Sequence, residues 1–157
     1  MPKGVKTMIY RKPTFNDIEA IYTLINTYAN DGIMLARSRN TLYETLRDMI
    51  VAEEEGVVVG VGGLHIIWNE LAEIRTMAVL PKNVQQGIGA EIVHRLTEEG
   101  RTFGIKKLFT LTYKPGFFKK LGFCEITKEE LPHKVWKDCI DCPKFPNCDE
   151  IAMVKDL

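Results

Sequence analysis

The chain has no excess of charge of either sign. Lys plus Arg and Asp plus Glu each number 21 in 157 residues, so the formal net charge is zero and no broad basic face for nucleic acid is implied. No apolar run reaches the ~20 residues that span a bilayer. The opening MPKGVKTMIYRK lacks the apolar core of a secretory leader, so a cytoplasmic protein is expected. Repeats and low-complexity segments are missing too, which excludes solenoids and structureless linkers. What is present, 45% hydrophobic and 27% charged residues, is enough for one globular domain over 1–157 that buries roughly 70% of its unfolded surface.

The most informative stretch is Ala72 to His94, AEIRTMAVLPKNVQQGIGAEIVH. Ile74, Met77, Val79 and Leu80 read as a strand, and Pro81 stops it because proline has no N–H for a ladder. From Ile88 the period changes: Ile88, Ile92, Val93 and Leu96 fall at helical spacing. A helix that opens on Gly87-Ile88-Gly89 leaves backbone N–H groups unpaired, and the absent side chains let a bulky anion approach. The expected ligand is a phosphate or pyrophosphate. Two nucleotide loops fail on missing residues. A mononucleotide P-loop needs Gly-Lys-Ser or Gly-Lys-Thr, but Ala90 and Glu91 follow Gly89. A dinucleotide loop needs a third glycine, where this chain has Ile92.

Taken in order, Lys6–Arg11 reads as a strand ended by Pro13. Thr14 to Ala29 reads as an amphipathic helix with Thr14 as cap, Asp17 three positions on, and Ile18, Ile21, Tyr22, Ile25 and Tyr28 inward. Asp31-Gly32 ends it. An extended piece, Ile33–Arg37, precedes a second helix from Ser38 or Asn40 that carries Leu42, Leu46, Met49 and Ile50 inward. Val51–Glu53 and Val57–Ile67 form a hairpin through Glu55-Gly56, with Gly60, Gly62 and Gly63 allowing bulges or close approach. After the loop, the helix runs to about Phe103 and Gly104 closes it. Lys107–Thr112 is a buried strand, Pro115–Leu121 a short helix, Phe123–Ile126 a strand, Thr127–Asp149 irregular and Glu150–Val154 the last strand. The fold class is therefore α/β (α+β): a mixed, mostly antiparallel sheet of about seven strands with about four helices on both faces.

Gln85-Gln86-Gly87-Ile88-Gly89-Ala90 after Val79-Leu80-Pro81 resembles the pyrophosphate loop of the GNAT acyl-CoA acyltransferases, whose pattern is Gln/Arg-x-x-G-x-G/A. Its first position falls on Val84, a departure that matters little where main-chain N–H groups bind. Phe117-Phe118-Lys119-Lys120-Leu121-Gly122-Phe123 is similar to the C-terminal Phe-Tyr-x-Lys-x-Gly-Phe signature, with Phe118 where many members carry a tyrosine acid. The acetyltransferase domain of the amino-acid N-acetyltransferases (N-acetylglutamate synthases) shares that feature. It is also similar at Ile33–Arg39, Ala72-Glu73-Ile74, Leu108–Thr112 and Leu131-Pro132, together covering about residues 10 to 155. Its double arginine is Ala36-Arg37 here, and the amino-acid-kinase-like domain that usually precedes it is not among these residues, so the expected form is the short one.

The resemblance implies the GNAT fold, acetyl-CoA as co-substrate, and transfer of acetyl to the α-amino group of L-glutamate, the first step of arginine biosynthesis. Met77, Ala78, Val79, Val84, Gln85, Gln86, Gly87, Ile88, Gly89, Ala90 and Phe118 fall at positions that contact CoA. Amine acetylation needs a neutral amine, a polarised carbonyl and a base. Glu73, just before the loop, is the expected general base, and His65 is the alternative. A backbone N–H near Met77 to Val79 would polarise the thioester. An acidic amino acid carries two carboxylates, so cations are expected around it: Arg37 first, then Lys114, then Arg75. His94 reads as half-buried structure. Without a cysteine near the loop or central strand, direct transfer in a ternary complex is expected.

Other acceptors on the same fold stay open (another amino acid, a polyamine, a protein N-terminus), as does a non-catalytic acyl-CoA sensor that lacks the tyrosine acid. Cys139-x2-Cys142-x5-Cys148 has one pair at zinc-like spacing, with His133 or Cys124 as a fourth ligand; thiols or a disulfide are the alternative, and no metal is expected in the site. A homodimer is left open.

Overall fold

The computed structural model describes residues 7–30, 36–131 and 150–157. Seven strands lie in one sheet: β1 (Met8–Arg11), β2 (Met49–Glu54), β3 (Val57–Trp68), β4 (Leu71–Val79), β5 (Lys107–Thr112), β6 (Cys124–Ile126) and β7 (Ile151–Asp156), in the order β1-β2-β3-β4-β5-β7-β6. β1/β2, β2/β3, β5/β7 and β6/β7 are antiparallel, and β4/β5 is parallel. The described residues add four helices: α1 (Ile18–Asn30), α2 (Arg39–Glu44), α3 (Ile88–Thr102) and α4 (Pro115–Lys120). This is the expected mixed, mostly antiparallel α/β architecture. The described residues fall into two compact units, one from Met1–Leu64 with Thr76–Leu96 and one from His65–Arg75 with Thr97–Leu157.

In the first unit, α1 is set by its entry. The Asp17 carboxylate accepts from the Thr14 N–H at 2.7 Å, and the Asp17 N–H donates to the Thr14 carbonyl at 3.0 Å. This satisfies donors that a helix start leaves without partners. The first turn is a 3-10 turn, Phe15–Asp17, so the α-helix begins at Ile18 rather than Thr14. Ile18, Ile21, Leu24 and Ile25 are buried with Leu42, Met49, Val51, Val61 and Ala78. Burying each of these larger aliphatic side chains stabilises by about 1.5–3 kcal/mol relative to exposure, before chain entropy is counted.

The second helix is shorter than its apolar spacing predicts. Ser38 caps it, its Oγ accepting from the Thr41 N–H at 3.1 Å, but the helix ends at Glu44 and a 3-10 turn at Leu46–Asp48 leads straight into β2. Met49 and Ile50, expected as inward helix residues, are buried strand residues instead. Periodicity cannot separate the two readings over so few residues. The β2/β3 hairpin turns at Glu55 and Gly56, both left-handed with φ of 50° and 83°, as a tight two-residue hairpin turn requires. β2 shifts register between Ala52 and Glu53.

α3 packs on β3 through missing side chains. A Cβ at Gly60 would sit 2.9 Å from Ile88 Cγ2, and one at Gly62 would sit 2.4 Å from Met77 Sδ and 2.5 Å from Ile92 Cγ2. Of the three glycines expected to permit bulges or close approach, Gly60 and Gly62 meet α3 closely. Ile88, Ile92, Val93 and Leu96 are all buried, as their spacing predicts.

In the second unit, Leu71, Phe109, Leu131 and Ala152 form a core flanked by Ile67, Leu111, Ile126 and Val154. Gly104, at φ 84°, ends the chain's run through α3, and the Ile105 N–H returns to the Gly100 carbonyl at 2.9 Å. Lys155 Nζ donates to the Leu121 carbonyl at 2.9 Å, at the end of α4. Gly32 and Ile33–Leu35, and the segment holding Pro132, His133, Cys139, Cys142 and Cys148, lie outside the described residues. Among the described residues no cluster of three or more His, Cys, Asp or Glu side chains could hold a metal, and no helix is long and apolar enough to cross a membrane.

Candidate active site

The loop between β4 and α3 belongs to the first unit. Pro81 opens a 3-10 turn, Pro81–Asn83, closed by the Asn83 N–H on the Leu80 carbonyl at 2.8 Å. Gln85 and Gly87 are then left-handed, with φ of 71° and 80°. Left-handed residues in such a turn can aim successive N–H groups at an anion, and here they lead into the start of a 15-residue helix. A Cβ at Gly87 would meet nothing within 4 Å, so the space in front of this backbone is open. These residues fit a pyrophosphate.

The loop residues divide by what their side chains do. Val84, Gln85, Gln86 and Gly87 are exposed, whereas Ile88 is buried against the Gly60 position, and Gly89 and Ala90 are half-buried. In β4, Ala78 is in the α1 core, Met77 is packed at Gly62, and the Val79 carbonyl accepts from the Tyr28 hydroxyl. Burial holds that phenol's pKa above its ordinary value, so it stays a donor. Ala78 and Ile88 are buried, so only their main chain is available to a ligand, whereas Met77 and Val79 are half-buried.

Arg37, also in this unit, is half-buried at the entrance to α2, where its carbonyl accepts from Asn26 Nδ2 at 3.2 Å. The neighbouring Arg39 is held by Glu19 at 2.7 Å and by the Tyr22 ring, 4.0 Å from its centroid.

In the second unit the parallel β4/β5 register runs from Leu71↔Lys107 to Glu73↔Phe109. One residue further on, the buried Thr110 hydroxyl donates to the Ile74 carbonyl at 2.9 Å, giving that acceptor a side-chain partner. Glu73 and Arg75, two apart on the strand, bring Oε1 and Nη1 within 3.9 Å, and their side chains are 14% and 13% exposed. This places the expected base beside one of the expected cations. Directly after Arg75, within β4, Thr76 has φ of 63°, which a β-branched residue rarely adopts.

Lys114 is exposed ahead of α4, its N–H donating to Thr112 Oγ1 at 2.8 Å. Phe118 is 4% exposed and stacks edge-to-face between Phe117 and Phe123, with ring centroids at 5.0 and 5.2 Å. It is a packed core ring without a hydroxyl, so it offers no proton to a leaving thiolate. His65 is half-buried, and His94 is exposed rather than half-buried. Thus the loop residues and Arg37 are in one unit, and Glu73, Arg75, Lys114 and Phe118 are in the other. Sequence reading did not single out Thr76 or Asn83; the buried Asn83 lies within the loop, as described below.

The model of the acetyltransferase (GNAT) family matches residues 15–123, and the chain belongs to that family. It is 42% identical over 147 residues to an uncharacterized N-acetyltransferase of Chlorobaculum tepidum, covering 94% of this chain and 95% of that one. It is 41% identical over 128 residues to the amino-acid acetyltransferase of Mycobacterium tuberculosis, covering 80% and 72%. Among solved structures, N-acetylglutamate synthase from Neisseria gonorrhoeae, complexed with coenzyme A and N-acetyl-glutamate, superposes with a TM-score of 0.88 at 26% identity. The match covers 96% of this chain but only 35% of that one, so the chain spans about a third of that synthase. The protein is a GNAT N-acetyltransferase with acetyl-CoA as co-substrate, similar to the acetyltransferase domain of the N-acetylglutamate synthases.

Proposed function

We propose that this protein acetylates the α-amino group of L-glutamate by direct transfer from acetyl-CoA. The observation that carries the reading is the Glu73–Arg75 pair on β4, a carboxylate and a guanidinium 3.9 Å apart and largely buried. Acetyl-CoA supplies an activated acyl group as a thioester. The chain must bind it, position the amine, and remove a proton from the ammonium form in which an amino acid reaches the site. The turn at Gln85–Gly87 and the first turn of α3 hold the pyrophosphate through main-chain N–H groups, with Val84 and Ala90 bordering it. Glu73 takes the amine proton directly or through one water. Main-chain N–H groups of Met77 to Val79 polarise the thioester carbonyl as charge develops on its oxygen. Arg75 and Lys114, in the same unit as Glu73, receive the acceptor's carboxylates. With a phenyl ring at Phe118, the departing thiolate takes its proton from solvent or from the acceptor's own ammonium proton by way of Glu73.

The likeness to a named amino-acid acetyltransferase at 41% identity supports an amino-acid acceptor and, with it, a place in arginine biosynthesis. The test is thiol release from acetyl-CoA at saturating donor with glutamate, aspartate, glutamine, lysine, spermidine and a peptide. Selective turnover of glutamate supports the proposal. Turnover of spermidine or peptide alone refutes the acceptor, and CoA binding without turnover of any acceptor leaves an acyl-CoA sensor.

A further inference from the structure

Within the loop lies a buried asparagine. Asn83 is 2% exposed, and among the described residues its Oδ1 has no hydrogen-bond partner, a state that buried acceptors rarely hold. An apolar side chain of similar size would leave no such acceptor. The amide nitrogen of the same side chain is used twice: it donates to Glu54 Oε2 on β2 at 3.2 Å and to Gln86 Oε1 at 3.3 Å. The Asn83–Gln86 bond spans Gln85, whose φ of 71° is a left-handed conformation that glutamine adopts only when its surroundings impose it.

We infer that Asn83 is a positioning residue for the co-substrate. It ties the anion-binding loop to the Glu54 carboxylate on β2 and clamps the left-handed turn at Gln85, so that the loop N–H groups are already aimed before CoA arrives. Preorganisation of this kind raises affinity by removing an ordering cost from binding. The inference rests on the assignment of this loop to CoA and is independent of the acceptor.

The experiment is calorimetric titration with CoA, alongside thermal melting, on Asn83→Leu, on the swap Asn83→Asp with Glu54→Gln, and on Gly87→Ala as a control for the loop. Asn83→Leu removes the orphan acceptor and both donors. It is expected to melt no lower than the parent and to bind CoA roughly tenfold more weakly. The swap restores an amide and a carboxylate in reversed positions, with Gln86 turning its own amide N–H toward the new carboxylate, and is expected to recover most of the affinity that Asn83→Asp alone loses. Unchanged CoA affinity in Asn83→Leu overturns the inference whatever the melting temperature does. If Asn83→Leu does not fold, recovery by the swap supports the inference and its failure overturns it. If Gly87→Ala weakens CoA and Asn83→Leu does not, only the positioning role fails. If neither weakens it, the loop assignment fails and the positioning role with it.

Discussion

Glu73 and Arg75 sit on the same strand two residues apart, with Oε1 and Nη1 at 3.9 Å and both side chains largely buried. Glu73 lies opposite Phe109 in the parallel β4/β5 register, and Thr76, three residues on, has a left-handed backbone. In the proposed mechanism the Glu73 carboxylate accepts the amine proton, and Glu73→Gln keeps shape while removing that capacity. The expected result is a fall in kcat of about 10²–10⁴-fold with the CoA dissociation constant unchanged, read by steady-state kinetics and calorimetry.

The loop binds through backbone, so its most sensitive position is a glycine rather than a charged residue. Gly87→Ala forces a side chain into a left-handed residue, φ 80°, and points a methyl group into the open space before the loop. The strain costs roughly 1 kcal/mol. CoA affinity is expected to fall by about tenfold or more, with the fold retained by circular dichroism. Substituting the exposed Gln85 by Ala, which leaves the main-chain donors in place, is expected to do much less.

Arg11 joins the start of α1 to β2. It donates to Asp17 at 2.8 and 2.9 Å and to Glu53 at 3.2 and 2.9 Å. The hydrogen bonds from Arg11, more than the opposing effect of burial, hold the Asp17 carboxyl below its ordinary value of 3.8. A depressed value means that the stabilisation is complete above the unfolded value and is lost as pH falls through the folded one. Asp17→Ala is expected to cost about 1–3 kcal/mol in urea unfolding at pH 7. The gap between parent and variant should be unchanged at about pH 5 and should close below about pH 4.

Close packing of α3 on β3 predicts intolerance at Gly62. Its Cβ would lie 2.4 Å from Met77 Sδ and 2.5 Å from Ile92 Cγ2. The methionine can swing aside, but the β-branched isoleucine has one favoured rotamer in a helix. Gly62→Ala is expected to destabilise by about 1–3 kcal/mol in denaturant melts, whereas Gly56→Asn in the exposed hairpin turn should change little.

Much of this architecture is legible in the residues because local chemistry and long-range packing agree. The 3.6-residue spacing of Ile88, Ile92 and Leu96, the Pro81 stop, Gly104 after α3 and the Glu55-Gly56 turn each have one physical reading, and the fold adopts it. Met49 and Ile50 misled because two apolar residues fit a helix face or a strand equally well, and the partner strand, with Gly63 and Gly62 opposite, decides. Thr76 could not be found at all: its left-handed backbone contradicts the preference of threonine and is imposed by tertiary structure. At the site, the glycine loop was readable as an anion cradle, and Glu73 as a strand carboxylate before it. The clamp through Asn83 was hidden, since it depends on Glu54, 29 positions away.

The most direct test of the central claim is identification of the product. Glutamate and acetyl-CoA labelled with carbon-13 in the acetyl group are incubated with the parent protein and with Glu73→Gln, and the mixtures are followed by NMR. N-acetylglutamate carrying the label is expected with the parent, and almost none with Glu73→Gln although that variant still binds CoA. Label appearing only in acetate, or an acetylated product formed equally well by Glu73→Gln, would contradict it.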